Sequence, residues 1–235
     1  MTEPSEILIV IPARGGSKRL PRKNVLPLMG KPLICWTIQA ALETGLSARI
    51  MVTSDDEEIL SISRRYAEQG LTAHKRPAEL ATDHATTLEV LRDALHADRQ
   101  AGYDAKILIL LQPTSPLRSS VDICAAVEAY NDSGGCDTVV SVCLVDHPTA
   151  WTGTIDGFGY MNGLDLTGKR SQDHQKEYRL NGAVYVMAVK TMLETGKLFT
   201  DNLRAFVMPK GRSIDIDEQI DFEICKVLMA TQSRS

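Results

Sequence analysis

No stretch of this 235-residue chain approaches the roughly 18 apolar residues that a bilayer-spanning helix needs, so no membrane partner is expected. The opening residues, Met1-Thr2-Glu3-Pro4-Ser5-Glu6, carry neither a basic n-region nor an apolar h-region, which makes a cytoplasmic location the expectation. Cysteine is sparse: Cys35, Cys124, Cys136, Cys143 and Cys225 are odd in number and never spaced C-x-x-C, which argues for reduced thiols in the core rather than a disulfide frame. The five histidines form no H-E-x-x-H and no cluster with cysteine, which disfavours zinc. An excess of basic residues is also missing, and the net charge of −4 argues against a nucleic-acid partner. Two phosphate-binding signatures, G-x-x-x-x-G-K-[ST] and G-x-G-x-x-G, are absent as well. That disfavours both a P-loop and an oxidoreductase built on a dinucleotide fold.

Against this acidic background, six positive charges and no acidic residue lie between Arg14 and Lys31, directly behind the apolar run Ile7–Ile11. The segment reads Pro12-Ala13-Arg14-Gly15-Gly16-Ser17-Lys18-Arg19-Leu20-Pro21-Arg22-Lys23-Asn24. A charge run is most often a solvated face. Here it follows a buried strand, where open α/β sheets bind ligands, and its paired glycines let backbone N–H groups approach an anion. Those features point to a small polyanion such as a nucleotide phosphate.

Apolar runs alternate with helical patterns. Strands are expected at Ile7–Ile11, Arg49–Thr53, Ile107–Leu111 and Thr138–Val145. Helices are expected from Pro32 to Gly45, after the capping-box pattern Ser54-Asp55-Asp56-Glu57, from about Thr86 to Arg99, and from Ser119 or Ser120 to Tyr130. Such alternation makes the fold α/β, a doubly wound, mostly parallel sheet. The rhythm breaks over about 147–180, a glycine-rich stretch with a hairpin signal at Asp156-Gly157. Further strands are expected at Ala183–Val189, about Ala205–Met208 and Ser213–Ile216, with a closing helix from about Glu218 to Met229. The length suits one domain over 1–235 with an inserted arm at about 147–180.

The late cluster Ser213-Ile214-Asp215-Ile216-Asp217 places two carboxylates at i and i+2, on one face of its expected strand, a spacing suited to a hard cation. Asp217 could equally cap the closing helix, with Asp215 an exposed alternation residue.

Five blocks in order carry a resemblance: Ile11–Lys18 through Lys23-Asn24; Arg76-Pro77-Ala78-Glu79-Leu80-Ala81-Thr82-Asp83; Leu111-Gln112-Pro113-Thr114-Ser115-Pro116-Leu117-Arg118; Arg179-Leu180-Asn181-Gly182-Ala183-Val184-Tyr185; and Ser213–Asp217. The chain resembles the CMP-sialic acid synthetases, the N-acylneuraminate cytidylyltransferase family that includes CMP-legionaminate and CMP-pseudaminate synthetases. The resemblance implies a Rossmann-like nucleotidyltransferase fold, CTP as donor and a nine-carbon 2-keto sugar acid (a nonulosonic acid) as acceptor, with CMP-sugar for a cell-surface glycan and pyrophosphate as products. It implies that Arg14, Ser17, Lys18 and Lys23 meet the triphosphate, with Asn24 on the nucleotide side. Arg76, Thr82 and the backbone around Ala81 would read cytosine. Gln112, Arg179 and Asn181 would hold the sugar, and Asp215 and Asp217 would hold Mg2+. Arg14, Lys23, Asp215 and Asp217 are the residues it makes catalytic. It further implies a homodimer that exchanges the arm at about 147–180. Arg19 and Arg22 stand where neuraminate enzymes often have glycine. Two other readings stay open. One is a Kdo-type synthetase, whose loop Ser17-Lys18-Arg19-Leu20-Pro21 overlaps. The other is a regulatory module that binds nucleotide without turnover, although such a module need not keep both the cation loop and the paired aspartates.

Overall fold

The computed structural model of the chain describes residues 6–134, 137–165, 168, 170 and 174–232, so Cys136 lies outside the described residues. Ile7–Pro12 (β1) leads through the short strands Pro27–Leu28 (β2) and Lys31–Pro32 (β3) to Leu33–Leu42 (α1), Ala48–Ser54 (β4), Glu57–Arg64 (α2) and Leu71–Lys75 (β5). Thr87–Gln100 (α3), Ile107–Leu110 (β6), Ser120–Asn131 (α4) and Thr138–Leu144 (β7) follow. The remainder comprises Thr154–Ile155 (β8), Met161–Asn162 (β9), Tyr178–Ala188 (β10), Val189–Thr195 (α5), Leu203–Val207 (β11) and Gln219–Gln232 (α6).

The main sheet has the order β11-β7-β10-β6-β1-β4-β5, while β2–β3 and β8–β9 are small antiparallel ribbons. β1 runs parallel to β4 and β6, β4 to β5, and β7 to β11; β10 is antiparallel to both of its neighbours. The expected doubly wound, mostly parallel sheet is what the chain forms. Period-two alternation divides each central strand between two cores. Ile9 and Ile11 face α1, α2 and α4, whereas Leu8 and Val10 face α3 and α5. Each such aliphatic side chain contributes about 1.5–3 kcal/mol through burial. A third cluster, including Leu20, Leu33, Leu117, Ile216 and Phe222, joins the basic loop to the segment ahead of α6.

Several elements differ from expectation. The N-cap of α2 is Asp56, whose carboxylate accepts from the N–H groups of Glu58 and Ile59; Ser54 instead accepts from Asp56 N. β5 is an edge strand of polar sequence, so it lacks the apolar run that marks β1 and β6. Ser213–Ile216 is not a strand. It follows a 3₁₀ turn at Lys210–Arg212, and Ile216 N meets the carbonyl of Thr114 at 2.8 Å without extending into a ladder. The chain beyond β1 goes to one side of the sheet and β6 lies on the other, which opens a crevice above their carboxyl ends.

Candidate active site

A cleft of about 580 Å³ occupies that crevice, lined by the loop after β1, the loop after β6, the segment ahead of α3, and Asp215 with Asp217. Five like charges in the loop after β1 would repel, and neighbouring groups hold them in place. Asn24, 6% exposed, donates from Nδ2 to the Arg14 carbonyl at 2.9 Å. Gly15 N donates to Asp55 Oδ1 at 3.2 Å, at the end of β4. Arg22, at φ 59° in the left-handed region, pairs with Asp56 and Glu58. The Arg22 guanidinium holds the Asp56 carboxyl below the usual carboxylate range. Arg14 and Lys18 both contact Asp83, at 2.8 and 2.5 Å.

The two ends of the chain meet in this cleft. Lys23 Nζ donates to the Ile216 carbonyl at 2.6 Å and to Asp217 Oδ1 at 3.2 Å, and Arg19 approaches Asp217 Oδ2 at 2.8 Å. Although no strand carries them, Asp215 and Asp217 both line the cleft. Asp215 Oδ1 is buried and makes no hydrogen bond. Burial pushes the Asp215 carboxyl above its ordinary range and Asp217 adds to the effect, while Thr114, Lys23 and Arg179 oppose it. An orphaned carboxylate oxygen beside a second carboxylate fits a hard divalent cation. Magnesium is commonly held by one or two carboxylates, with the remaining positions filled by phosphate oxygens and water. Among the described residues no group of three or more His, Cys, Asp or Glu could hold a metal.

On the opposite wall, Arg76 is 6% exposed, reaches Asp55 at 3.4 Å, and has a buried Nε without a partner. Burial lowers its pKa, opposed by Asp55. Ser17, Thr82 and Gln112 line the cleft. Ala81 does not, since it closes a 3₁₀ turn whose neighbours Leu80 and Thr82 face inward; Ala85 and Thr87, which sequence reasoning missed, line it too. Arg179 is exposed, contacts the Leu180 carbonyl at 3.4 Å and lies off the lining. Asn181 also departs from the expected sugar contact. It is 1% exposed, and its amide is consumed by Ser141, Ser213, Met208 and Ala183 N, so it braces the acidic segment from beneath. Asp55 and Asp83 were missed because spacing along the chain does not reveal a partner in a distant loop.

A family model described as cytidylyltransferase matches residues 8–152 of this chain. The chain belongs to the cytidylyltransferase family. It is 35% identical over 231 residues to an N-acylneuraminate cytidylyltransferase of Escherichia coli, covering 98% of this chain and 54% of that protein. It therefore spans about half the length of that relative. Identity is 34% over 230 residues to a CMP-N,N'-diacetyllegionaminic acid synthase of Legionella pneumophila, covering 95% of this chain and 96% of that one. Among solved structures, a CMP:2-keto-3-deoxy-manno-octonic acid synthetase complexed with CTP superposes with a TM-score of 0.72 at 20% identity, over 97% of this chain and 100% of the other. That likeness establishes a shared fold. The resemblance read from the five sequence blocks is thereby borne out at the level of the family.

Proposed function

We propose that this member of the family transfers a cytidylyl group from CTP to a nine-carbon 2-keto sugar acid, an N-acylneuraminate or a relative such as legionaminate. The observation that carries the reading is the junction of Lys23 with Ile216 and Asp217, 193 and 194 residues apart, inside one cleft. In the reaction the anomeric hydroxyl gives up its proton to solvent as its oxygen attacks the α-phosphorus, and the bond from that phosphorus to the bridging oxygen breaks with its electron pair leaving on pyrophosphate. The protein's work is to orient an in-line displacement and to stabilise charge spread over phosphoryl oxygens.

Arg14 and Lys18 hold the departing pyrophosphate end, exchanging Asp83 for phosphate oxygens as CTP enters. Ser17 and loop N–H groups complete the cradle, and Asn24 keeps Arg14 in place through its carbonyl. Lys23, fixed by the Ile216 carbonyl and Asp217, stands at the reacting end. Arg76 and Thr82 line the base end, where a short wall rejects purines by size. Asp215 and Asp217 would hold magnesium, which when bound neutralises phosphate charge as a Lewis acid. Gln112 contacts the sugar; Arg179, off the lining but near enough to act on the Asp215 carboxyl, reaches in to meet the sugar carboxylate; Asn181 acts by bracing. The cleft is completed in a homodimer by the β8–β9 arm, whose Phe158 is 90% exposed and Tyr160 71%. A nucleotide substrate accords with a cytoplasmic location, and no helix among the described residues is long and apolar enough to cross a membrane.

Pyrophosphate release with CTP, magnesium and, in turn, N-acetylneuraminate, legionaminate, pseudaminate and Kdo tests the reading. Release with CTP and a nine-carbon acid is expected. CTP binding without release from any acid would overturn it in favour of a regulatory module, and release with Kdo alone would move the acceptor to the eight-carbon class.

A further inference from the structure

We infer that Gly182 and Arg118 are positioning residues that preset Gln112 for the acceptor; this rests on Gln112 belonging to the sugar side of the cleft. Neither residue lines the cleft, so each acts through Gln112, which does.

The first observation concerns β10. Its register against β7 shifts between Leu180, opposite Val142, and Tyr185, opposite Val140. Within that irregularity side chains replace the ladder: Val184 N donates to Ser141 Oγ at 2.8 Å and Ala183 N to Asn181 Oδ1 at 3.2 Å. Gly182 lies buried at its centre with φ +72°, a conformation that side chains disfavour. A Cβ at this position would overlap Gln112 Oε1 and stand 3.7 Å from Ser115 Oγ. The glycine therefore does two things. It permits the backbone turn, and it leaves the space that the Gln112 amide occupies. Bulges beside functional sites commonly re-aim side chains in this way.

The second observation is independent and concerns the main chain of the same glutamine. Arg118 is 3% exposed and donates from Nη1 to the Gln112 carbonyl at 3.1 Å and the Ala183 carbonyl at 2.7 Å, and from Nη2 to Thr37 Oγ1 at 2.6 Å. All three acceptors are uncharged. A guanidinium buried on neutral acceptors is a poor device for stability alone, because desolvating the charge is costly. Its planar fork, however, ties the loop after β6 to the β10 bulge and to α1 at fixed angles, which the single ammonium of lysine would not do. Gln112 is thus held by its carbonyl from below and bounded beside its amide. A side chain already ordered for its ligand loses less freedom on binding.

The test compares Gly182→Ala, Gln112→Ala and the double variant by steady-state kinetics, with CTP, magnesium and the acid of highest turnover in the panel above. Gly182→Ala and Gln112→Ala are each expected to raise KM for the acid at least tenfold while KM for CTP stays within twofold. The double variant should be no worse than Gln112→Ala alone, because Gly182 acts through that side chain. Gly182→Ala leaving KM for the acid within twofold of wild type, or multiplying its effect onto Gln112→Ala, would overturn the inference. Gln112→Ala with an unchanged KM for the acid would instead refute the sugar-side reading of Gln112 itself. Should Gly182→Ala yield no folded protein, Arg118→Lys carries the same comparison, with the same rise in acid KM expected and the same absence of any added effect on Gln112→Ala.

Discussion

At the scale of single residues, Asp215 places function against stability. Its Oδ1 is buried without a hydrogen bond, and burial raises the carboxyl pKa. A carboxylate whose folded pKa lies above its unfolded one is destabilising once ionised, so at neutral pH the folded protein bears that strain. Asp215→Asn is expected to raise the melting temperature in EDTA by about 2–4 °C, corresponding to about 1 kcal/mol. The same change should reduce turnover at least 100-fold, since the proposed magnesium site loses a ligand. Calorimetry and pyrophosphate release measure the two; a lower melting temperature would show that the carboxylate stabilises the fold. Gly15 illustrates a second kind of residue-level constraint: a Cβ there would stand 2.5 Å from Asp56 Oδ2, so the basic loop passes the end of β4 only as glycine.

At the scale of elements, α4 links the sheet to the acidic segment. Ser119 and Asp122 form its capping box, and Asp122 also pairs with Arg212 in three contacts, at 3.3, 3.0 and 2.8 Å. Burial alone would push the Asp122 carboxyl up, but the Arg212 and Ser119 hydrogen bonds outweigh it and hold the group below its ordinary range. For a depressed folded pKa, the unfolded chain binds more protons between the two values, so stability rises with pH through that window. The contribution is complete above the unfolded value of about 3.9 and fades as pH falls toward the folded one. Asp122→Asn is expected to cost about 1 kcal/mol at pH 7 in urea unfolding, with the gap to wild type narrowing as pH falls below about 4. A gap that is independent of pH would show that packing, not charge, is what the substitution removes.

Elements buried on both faces were legible in the sequence, because β1 and β6 read as unbroken apolar runs and their helices carry caps at Thr86 and Ser119. β5 was hidden by its polar composition at the sheet edge, and nothing in a local pattern reports that β10 runs antiparallel. In the site, the cation loop and the acidic doublet could be read as blocks. The acids that hold the loop could not: Asp55 lies 40 residues from Gly15, and the pattern around it reads first as a helix cap.

At the scale of the whole molecule, the proposed homodimer should leave a mark. Phe158 and Tyr160 are large side chains standing in solvent on a two-stranded ribbon that buries little of its own surface. Light scattering at micromolar concentration is expected to give twice the chain mass, and Phe158→Asp with Tyr160→Asp to give a monomer of unchanged helix content with much reduced turnover. A fully active monomer would remove the exchanged arm from the mechanism.

The molecule's organisation rests on its two ends closing on one cleft, with Lys23 touching Asp217. Pyrophosphate release by wild type, Lys23→Ala, Asp217→Ala and the double variant examines that junction. Each single change is expected to lower kcat/KM for CTP at least 100-fold, and the double variant should fall well short of the product of the two, as residues acting on one substrate do. Both single variants retaining near-normal rates at saturating magnesium would contradict the shared site.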